Sequence, residues 1–256
     1  MSYLKNMSPL PYSFGNNEKA VNFPDLSRYS SVVDQVADAT TAYQQYTILE
    51  NMRPDQVSYQ LYGRTDFYWT FFLMNDKLRE QGWPLSQAEL LTRCQKDYTG
   101  TALVTASDLV SDQTTGTGAI RDKIAEGVTL VGQTSGVTAV VDHIQYELGQ
   151  VIVKGTKSFT EGEFVYLSTD INVGFTATTV VAEHLATHHW ENASGEYVDL
   201  VNASTGIVDI TGGAQNTKVT NLGRYIKQND NLKTIKVLRQ GVAESVVDLL
   251  ISAIGE

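Results

Sequence analysis

The chain has 256 residues, a formal net charge of −10 and 42% hydrophobic residues. This length suffices for one large domain or for two or three small ones. Lysine and arginine are scattered and form no basic stripe, so nucleic acid is not an expected partner, because neutralising phosphates requires clustered cations. The acidic balance favours solubility or a basic protein partner.

The cysteine content, the N-terminal sequence and the longest apolar runs bear on disulfide formation, export and membrane insertion. The one cysteine, Cys94, excludes an internal disulfide. The first residues, MSYLKNMSPLPYSFGNN, contain no apolar segment of the signal-peptide type. No apolar run approaches the roughly 18 residues that a membrane-spanning helix needs. We therefore expect no export signal and no membrane partner.

Residues 1–30 are predicted to form an extended N-terminal arm. Prolines interrupt it, and its aromatic residues are too widely spaced for a helical stripe. Two interpretations remain open: a disordered tail, or an arm that becomes ordered against a partner. Residues 31–43 show partial helical spacing and are predicted to form a helix.

The next elements are predicted from short local signals. YQQYTIL, from Tyr43 to Leu49, is typical of a strand. Pro54 suits the first turn of a following helix, and Gly63 suits its termination. Residues 86–97 predict another helix, with Ser86 as its cap. Pro84–Leu85, in the turn before it, predicts a short strand.

The segment TDFYWTFFLMND, residues 65–76, is unusually apolar. It predicts a helix over 66–74, capped by Thr65 or Asp66 and ended by Asn75–Asp76. An ordinary surface helix has one apolar stripe, whereas this helix is apolar all round and must be covered on every side. The cover could be the rest of this chain or a partner protein, and the sequence does not decide between them.

The middle of the chain has a different amino-acid composition. Residues 99–119 are rich in Thr, Ser, Gly and Asp and are predicted to form a loop or linker. Between residues 127 and 182 glycines separate several β-like runs: GVTLVG, GVTAVVDHI, GQVIVKG, GEFVYLS and ATTVVAEH. This pattern predicts a small antiparallel barrel or sandwich.

The C-terminal region is predicted to mix strands and one helix. A hairpin is plausible around Ser194–Gly195 or around residues 204–206. Residues 232–239 are typical of a strand, and residues 242–254 of a helix. The apolar stripe of that helix is predicted to contain Val242, Val246, Leu249, Leu250 and Ala253, widened by Val247, Ile251 and Ile254.

Sequence signals for chemistry are weak. His184 and His188 are four residues apart and could chelate zinc on a helix, but no HExxH motif is present, and structural or surface histidines are the favoured interpretation. GxSxG, P-loop and dinucleotide-binding motifs are also missing. Cys94 is interpreted as a buried structural thiol. We therefore predict no enzyme activity, no catalytic or metal-binding residues and no cofactor.

The order strand, helix, helix, strand over residues 43–86 resembles a LysM module. Tyr46–Ile48 match its first strand, and Arg53-Pro54-Asp55 match the turn into its first helix. Trp69 and Asn75 match residues of its second helix, and Pro84-Leu85 match its second strand. LysM modules typically bind polymers of N-acetylglucosamine.

A longer match is similar to the baseplate wedge family of contractile-tailed bacteriophages. Its LysM-like segment typically shows the features of RPDQVSYQLYGRTDFYWTFFLMNDKLREQGWPLS: an Arg-Pro-acid start, Tyr-Gly, a Trp-rich helix, Asn-Asp and a later Trp. The C-terminal region is similar in order, with His188-His189-Trp190, Val219-Thr220-Asn221 and Lys233–Leu238. The resemblance covers about residues 20–98 and 184–254.

This resemblance implies an α+β protein of several parts. They are an arm over 1–30, a LysM-like module with flanking helices over 31–98, an inserted β domain over 99–183, and a wedge-type region over 184–256. It also implies a structural subunit in the virion baseplate, assembled in the host cytoplasm, in six copies or a multiple. The implied partners are other wedge subunits and neighbouring wedges, and the predicted interface residues are Phe67, Tyr68, Trp69, Phe71, Phe72, Met74, Trp83, Val246 and Leu250.

A second hypothesis follows from the LysM resemblance alone. The chain could be a peptidoglycan-binding protein that acts at the bacterial cell wall. Glycan-binding LysM surfaces usually show small polar loops, whereas this segment is strongly apolar, and no recognisable hydrolase follows it. The wedge interpretation is therefore favoured, and peptidoglycan is a partner only under the second hypothesis.

Overall fold

The computed structural model describes residues 9–13, 19–24, 42–105, 124–198, 200, 212–213 and 215–255. Side chains at positions 23, 24, 249–251 and 253–255 are outside this description. The chain divides into two compact units. Unit 1 combines residues 1–86 with residues 228–256, and unit 2 is the segment between them, residues 87–227.

Unit 1 is a mixed α and β structure made from both ends of the chain. Its strands are β1 Pro9–Tyr12, β2 Val21–Pro24, β3 Tyr43–Thr47 and β13 Thr234–Leu238. Its helices are α1 Pro54–Tyr62, α2 Trp69–Met74, α3 Asp76–Gln81 and α6 Gln240–Gly255. Helix α5, Asn221–Lys233, begins in unit 2 and ends in unit 1.

The central sheet of unit 1 pairs strands that are far apart in sequence. β3 is antiparallel to β13, with Tyr46 opposite Ile235. The prediction of a strand at Pro84–Leu85 is wrong, because these residues form no strand and β13 takes the place beside β3. The predicted order strand, helix, helix is therefore completed by a strand from the other end of the chain.

Helix α1 confirms the local signals at both of its ends. Pro54 occupies the first turn, and the Gln56 side chain accepts a hydrogen bond from the Arg53 backbone N–H at 2.9 Å. Gly63 ends the helix at φ 68°, a left-handed conformation that costs glycine little.

The aromatic segment starts its helix later than predicted. Helix α2 begins at Trp69, and its N-cap, Tyr68, makes no side-chain capping bond, so neither Thr65 nor Asp66 is the cap. The Asp66 carboxylate instead binds the Arg64 guanidinium at 2.8 Å. Asn75 ends α2 as predicted, and α3, which the sequence analysis missed, starts at the next residue.

The described parts of the N-terminal arm form a hairpin. β1 and β2 are antiparallel, with Leu10 opposite Phe23 and Tyr12 opposite Val21. The described residues of the predicted arm are thus two extended strands, and whether residues 1–30 act as an arm stays a prediction. The predicted helix over 31–43 falls largely outside the described residues, and at its end Tyr43 begins β3.

Unit 2 contains helix α4, Gln87–Asp97, which confirms the prediction for 86–97 to within one residue. Its strands are β4 Thr101–Val104, β5 Thr129–Gly132, β6 Thr138–Gln145, β7 Gln150–Val153, β8 Glu163–Leu167, β9 Asp170–Ala177, β10 Thr179–Ala182, β11 Thr187–Glu191 and β12 Thr217–Thr220. A single turn of 3-10 helix precedes the Gln150 strand, and another, Glu183–Leu185, follows β10.

The predicted antiparallel strands form part of a seven-stranded sheet in the order β10, β4, β7, β6, β5, β8, β9, and the bounds of a separate inserted domain stay a prediction. Side chains from six of these strands share one buried cluster, which includes Leu103, Leu130, Val141, Val165 and Phe175. Residues 101–104 were predicted to be loop, but they form β4 between β7 and β10. The choice between barrel and sandwich stays a prediction.

The C-terminal part of unit 2 confirms one of the predicted hairpin turns. Glu191 forms an isolated bridge with Tyr197 around the turn at Ser194–Gly195, whereas residues 204–206 are outside the described part. β11 is antiparallel to β12. Helix α5, which the sequence analysis missed, ends at Lys233, so the predicted strand over 232–239 starts two residues late, at Thr234.

Helix α6 confirms a C-terminal helix but shifts its buried face. Ala243 and Val247 are buried with Val246 packed beside them, whereas Val242, which was predicted to lie in the stripe, is 37% exposed. The side chains of Leu249, Leu250 and Ala253 are outside the description.

Candidate functional site

The aromatic segment is the core of unit 1. Phe67, Trp69, Phe71, Leu73 and Met74 are each at most 6% exposed. Two adjoining clusters cover them with residues of β13, α1 and α6. Other parts of this chain therefore cover the helix that is apolar all round.

Asn75 fastens the end of this helix to β13. Its amide Nδ2 donates to the Phe71 carbonyl and to the Lys236 carbonyl, both at 2.8 Å. Its Oδ1 accepts from the Lys236 backbone N–H, also at 2.8 Å. The side chain thus pairs with the strand backbone as a neighbouring strand would. One amide joins two segments that are 161 residues apart.

Tyr62 makes a second connection between α1 and β13. Its hydroxyl donates to the Leu238 carbonyl at 3.0 Å. Its ring lies 5.8 Å from that of Phe67 and 6.2 Å from that of Phe71, measured between centroids. Burial raises the pKa of Tyr62 well above its usual value, although the hydrogen bond to Leu238 lowers it in part. The phenol therefore stays protonated and remains a donor.

Trp83 is held beside the aromatic core. Its indole Nε1 donates to the Met52 carbonyl at 2.7 Å. Its ring is 5.9 Å from Phe71 and 6.0 Å from Phe72. Both Trp83 and Phe72 are only partly buried, as are Tyr68 and Val246. Among the predicted interface residues whose side chains are described, these four are partly buried and the others are buried.

A cluster of charged side chains lies beside Phe67. Arg64 is placed over the Phe67 ring at 4.7 Å and contacts Glu244 of α6 at 3.8 Å. The hydrogen bond from Arg64 holds the pKa of Asp66 below its usual range. All three charged groups are substantially exposed, so salt will screen their attraction.

A shallow cleft of about 340 Å³ opens beside the Asn75 connection. Its lining is mixed: amides, a threonine, one acidic and two basic side chains, and four apolar side chains. They come from β3, the α2–α3 junction, the end of α5 and β13: Gln45, Met74, Asn75, Asp76, Lys77, Leu78, Asn231, Leu232, Thr234, Ile235 and Lys236. It offers hydrogen-bonding groups but no buried catalytic pair.

The histidines considered as metal ligands lie in unit 2. His184 is in a 3-10 turn and His188 is on β11, so the two do not share a helix as chelation at that spacing would require. His188 Nδ1 is 2.8 Å from His189 Nδ1, and His189 Nε2 is 3.0 Å from a Glu191 oxygen. Burial lowers the pKa of His188, and the charge of Arg224 adds to this.

The described residues contain no group of three or more His, Cys, Asp or Glu side chains placed to hold a metal ion. None of their helices combines the length and apolar character that crossing a membrane requires.

The structure thus brings most of the predicted interface residues into one region, but it buries Phe67, Trp69, Phe71 and Met74 inside it. The side chain of Leu250 is outside the description. Whether these residues contact a partner stays a prediction. The sequence analysis used Asn75 as a helix terminator and as a match to the LysM-like pattern, and no local signal pointed to its bonds with Lys236.

Comparison with known families confirms the resemblance to a baseplate wedge family. Residues 11–98 match the model of a family described as Base plate wedge protein 53. The match covers β2, β3, α1, α2, α3 and α4, and it supports a structural role in a phage baseplate. The similarity predicted for residues 184–254 lies outside it. No curated protein matches the chain.

Proposed function

We propose that this chain is a wedge subunit of a contractile phage tail baseplate, without catalytic activity, and that it joins neighbouring wedge proteins around a sixfold ring. The single observation that carries the proposal is the match of residues 11–98 to a baseplate wedge family. In this proposal the chain is assembled in the host cytoplasm and is present in six copies or a multiple of six.

The joining surface is proposed to lie on the LysM-like module formed by β3, α1, α2, α3 and β13. The partly exposed aromatics Tyr68, Phe72 and Trp83, together with Val246 of α6, form its apolar centre, because aromatic residues are enriched at interface cores. Arg64, Asp66 and Glu244 form a polar rim beside it. The fully buried aromatics support the surface by fixing the fold.

Quantitative mass spectrometry of purified tails tests the role itself. The expected result is a copy number of six or a multiple per baseplate, since closed rings repeat one interface. Absence of the chain from particles would overturn the proposal. In that case, sedimentation of the purified chain with peptidoglycan would decide whether cell-wall binding takes its place.

Two matched substitutions test the surface. Phe72→Ala removes a partly exposed ring and is expected to leave the chain folded, by circular dichroism, but to reduce its incorporation into baseplates. Tyr59→Ala removes a ring that is 63% exposed on α1, outside the proposed centre, and is expected to assemble normally. Equal incorporation of both variants would contradict the assignment of the surface.

A further inference from the structure

A β-bulge brings the two histidines of β11, His188 and His189, side by side. Thr187 is opposite Thr220 and His189 is opposite Val219, so β11 has one more residue than β12 between these two pairings. Consecutive side chains of a regular strand point to opposite faces. Here the two ring centroids are 5.0 Å apart and the two Nδ1 atoms are 2.8 Å apart. We call these two residues the histidine pair.

The two Nδ1 atoms of the histidine pair share one proton. A distance of 2.8 Å between them is that of a hydrogen bond, in which one nitrogen donates and the other accepts. His189 Nε2 lies 3.0 Å from a Glu191 carboxylate oxygen, which accepts, so Nε2 carries a proton. Neutral His189 therefore has a lone pair on Nδ1, and His188 Nδ1 donates to it. This tautomer is assigned from the hydrogen-bond partners.

The bonds of the histidine pair continue to helix α5. The Glu191 carboxylate also accepts from Lys227 Nζ, at 2.7 and 2.8 Å. Lys227 belongs to α5, so the histidine pair, Glu191 and Lys227 connect β11 to that helix within unit 2. The side chains of His189 and Glu191 are each 14% exposed, so water competes little for these bonds.

The cationic groups around the histidine pair come from α5 and β12. Burial lowers the pKa of His188, and the charge of Arg224 on α5 lowers it further. Lys227 is also on α5, whereas Lys218 of β12 is opposite the residue that follows His189. Among the described residues, Glu191 is the carboxylate that bonds directly to the pair. An added positive charge on the pair therefore meets more cationic than anionic neighbours.

The turn after β11 adds one aromatic and one acidic side chain. The ring of Tyr197 stacks on His189, with 5.7 Å between centroids. The carboxylate of Glu196 accepts from the Asn192 side chain at 3.0 Å and is thus engaged within the turn.

We propose that the histidine pair is a pH-sensitive connection between β11 and α5, closed while its Nδ1 atoms share one proton and opened when both rings are fully protonated. One added proton is tolerated, because one ring nitrogen still accepts. When both rings are charged, two N–H groups would face each other across 2.8 Å, so the rings must separate. The inference concerns unit 2 and does not depend on the baseplate role.

The direction of the pH dependence follows from His188. Its pKa in the folded chain is lowered, so the folded state binds fewer protons than the unfolded state near the ordinary pKa of histidine. The stabilisation is therefore present above that ordinary value and is lost as pH falls through the lowered pKa.

NMR of the full-length chain labelled with ¹⁵N-histidine tests the shared proton. Substitution of each histidine in turn assigns its ring resonances. At about pH 7.5 we expect one of the two Nδ1 atoms of the histidine pair to be protonated and the other to be unprotonated. If both Nδ1 atoms are protonated, or both are unprotonated, the proposal is overturned.

Fluorine NMR of the chain labelled with 5-fluorotryptophan tests the opening. Trp190 follows His189 on β11, whereas Trp69 and Trp83 lie in unit 1. Trp190→Phe assigns the Trp190 resonance. Between about pH 7.5 and about pH 4.5, where histidines titrate, we expect this resonance to shift while the other two stay constant. Constant unit 1 resonances separate local opening from acid unfolding of the whole chain.

A matched pair of variants connects the opening to the histidine pair. His188→Asn keeps an amide N–H near the position of Nδ1 but does not take up a proton, so the Trp190 transition should move to lower pH by about one unit or more. His184→Asn, in the 3-10 turn before β11, should behave as the wild type. An unmoved transition in His188→Asn would contradict the proposal, as would a wild type whose histidines titrate without a shift of Trp190.

Discussion

Replacing Asn75 by alanine tests how much the connection between the end of α2 and β13 stabilises unit 1. The substitution removes three hydrogen bonds and leaves the Lys236 N–H, the Lys236 carbonyl and the Phe71 carbonyl without this partner. A typical bond contributes about 1 kcal/mol net. Asn75 is only partly buried, so water replaces part of the loss. We expect unit 1 to lose about 2 kcal/mol of unfolding free energy.

Urea unfolding followed by tryptophan fluorescence measures this loss. Trp69 and Trp83 lie in unit 1 and Trp190 in unit 2, so a Trp190→Phe background restricts the signal to unit 1. The expected shift of the midpoint is about 1–2 M urea. Asn75→Asp retains an acceptor for the Lys236 N–H but loses both donated bonds, so we expect an intermediate shift.

Lys77→Ala is the matched control, because Lys77 is exposed two residues away and should change stability by less than about 0.5 kcal/mol. If Asn75→Ala shifts the midpoint no more than Lys77→Ala does, the connection to β13 contributes nothing and the reasoning is refuted.

Two further predictions concern buried polar groups. Glu163 accepts hydrogen bonds from Thr134 N, Ser135 N, Ser135 Oγ and Thr160 N. Burial alone would raise its pKa, but the bonds from Ser135, Thr160 and Thr134 outweigh burial and hold the pKa below its ordinary value. The carboxylate therefore stabilises unit 2 above the ordinary pKa of a glutamate, and the contribution is lost as pH falls through the lowered pKa. In thermal melts, Glu163→Gln should lower the unfolding free energy of unit 2 by roughly 2 kcal/mol at pH 7. It should also weaken the loss of stability at acidic pH. An unchanged profile of stability against pH would contradict this role. Tyr62→Phe should cost unit 1 about 1 kcal/mol in the Trp190→Phe urea assay, because the Leu238 carbonyl loses its donor; a loss near zero would show that water replaces the bond.

The sequence predicts the local elements of unit 1 better than their pairing. Pro54 and Gly63 bound α1 as expected, because their signals act on the backbone of the residues themselves. The strand beside β3 was misplaced at Pro84–Leu85, because the true partner, β13, is almost the whole chain away. No short-range pattern contains that information.

Tertiary contacts also explain the elements that were missed. Helix α5 contains three asparagines and a glycine, which are poor helix formers. Two of the asparagines are buried and bonded: Asn221 donates to the Glu183 carbonyl, and Asn229 pairs with the Leu85 backbone. β4 lies in a Thr- and Gly-rich context but is paired on both sides. Packing overrides local propensity in both places.

The sequence predicts which residues make up the site, but it does not predict which of them are exposed. An apolar helix requires cover on all sides, and the sequence left open whether the chain or a partner provides it. Residues of β13, α1 and α6 contribute to that cover, and β13 and α6 belong to the far end of the chain. Only the side chains at the margin, such as Phe72 and Trp83, remain candidates for contact with another subunit.

The pairing of Leu85 with Asn229 joins the two points of unit 1 between which unit 2 is inserted in the sequence. The Leu85 N–H donates to the Asn229 side chain at 2.8 Å, and the Asn229 amide donates back to the Leu85 carbonyl at 3.0 Å. These bonds lie where the chain leaves unit 1 and where it returns. Closing a long flexible loop costs entropy that grows only slowly with its length. A folded insertion whose two ends meet at one asparagine avoids much of that cost, so β3 and β13 can pair although unit 2 separates them in sequence.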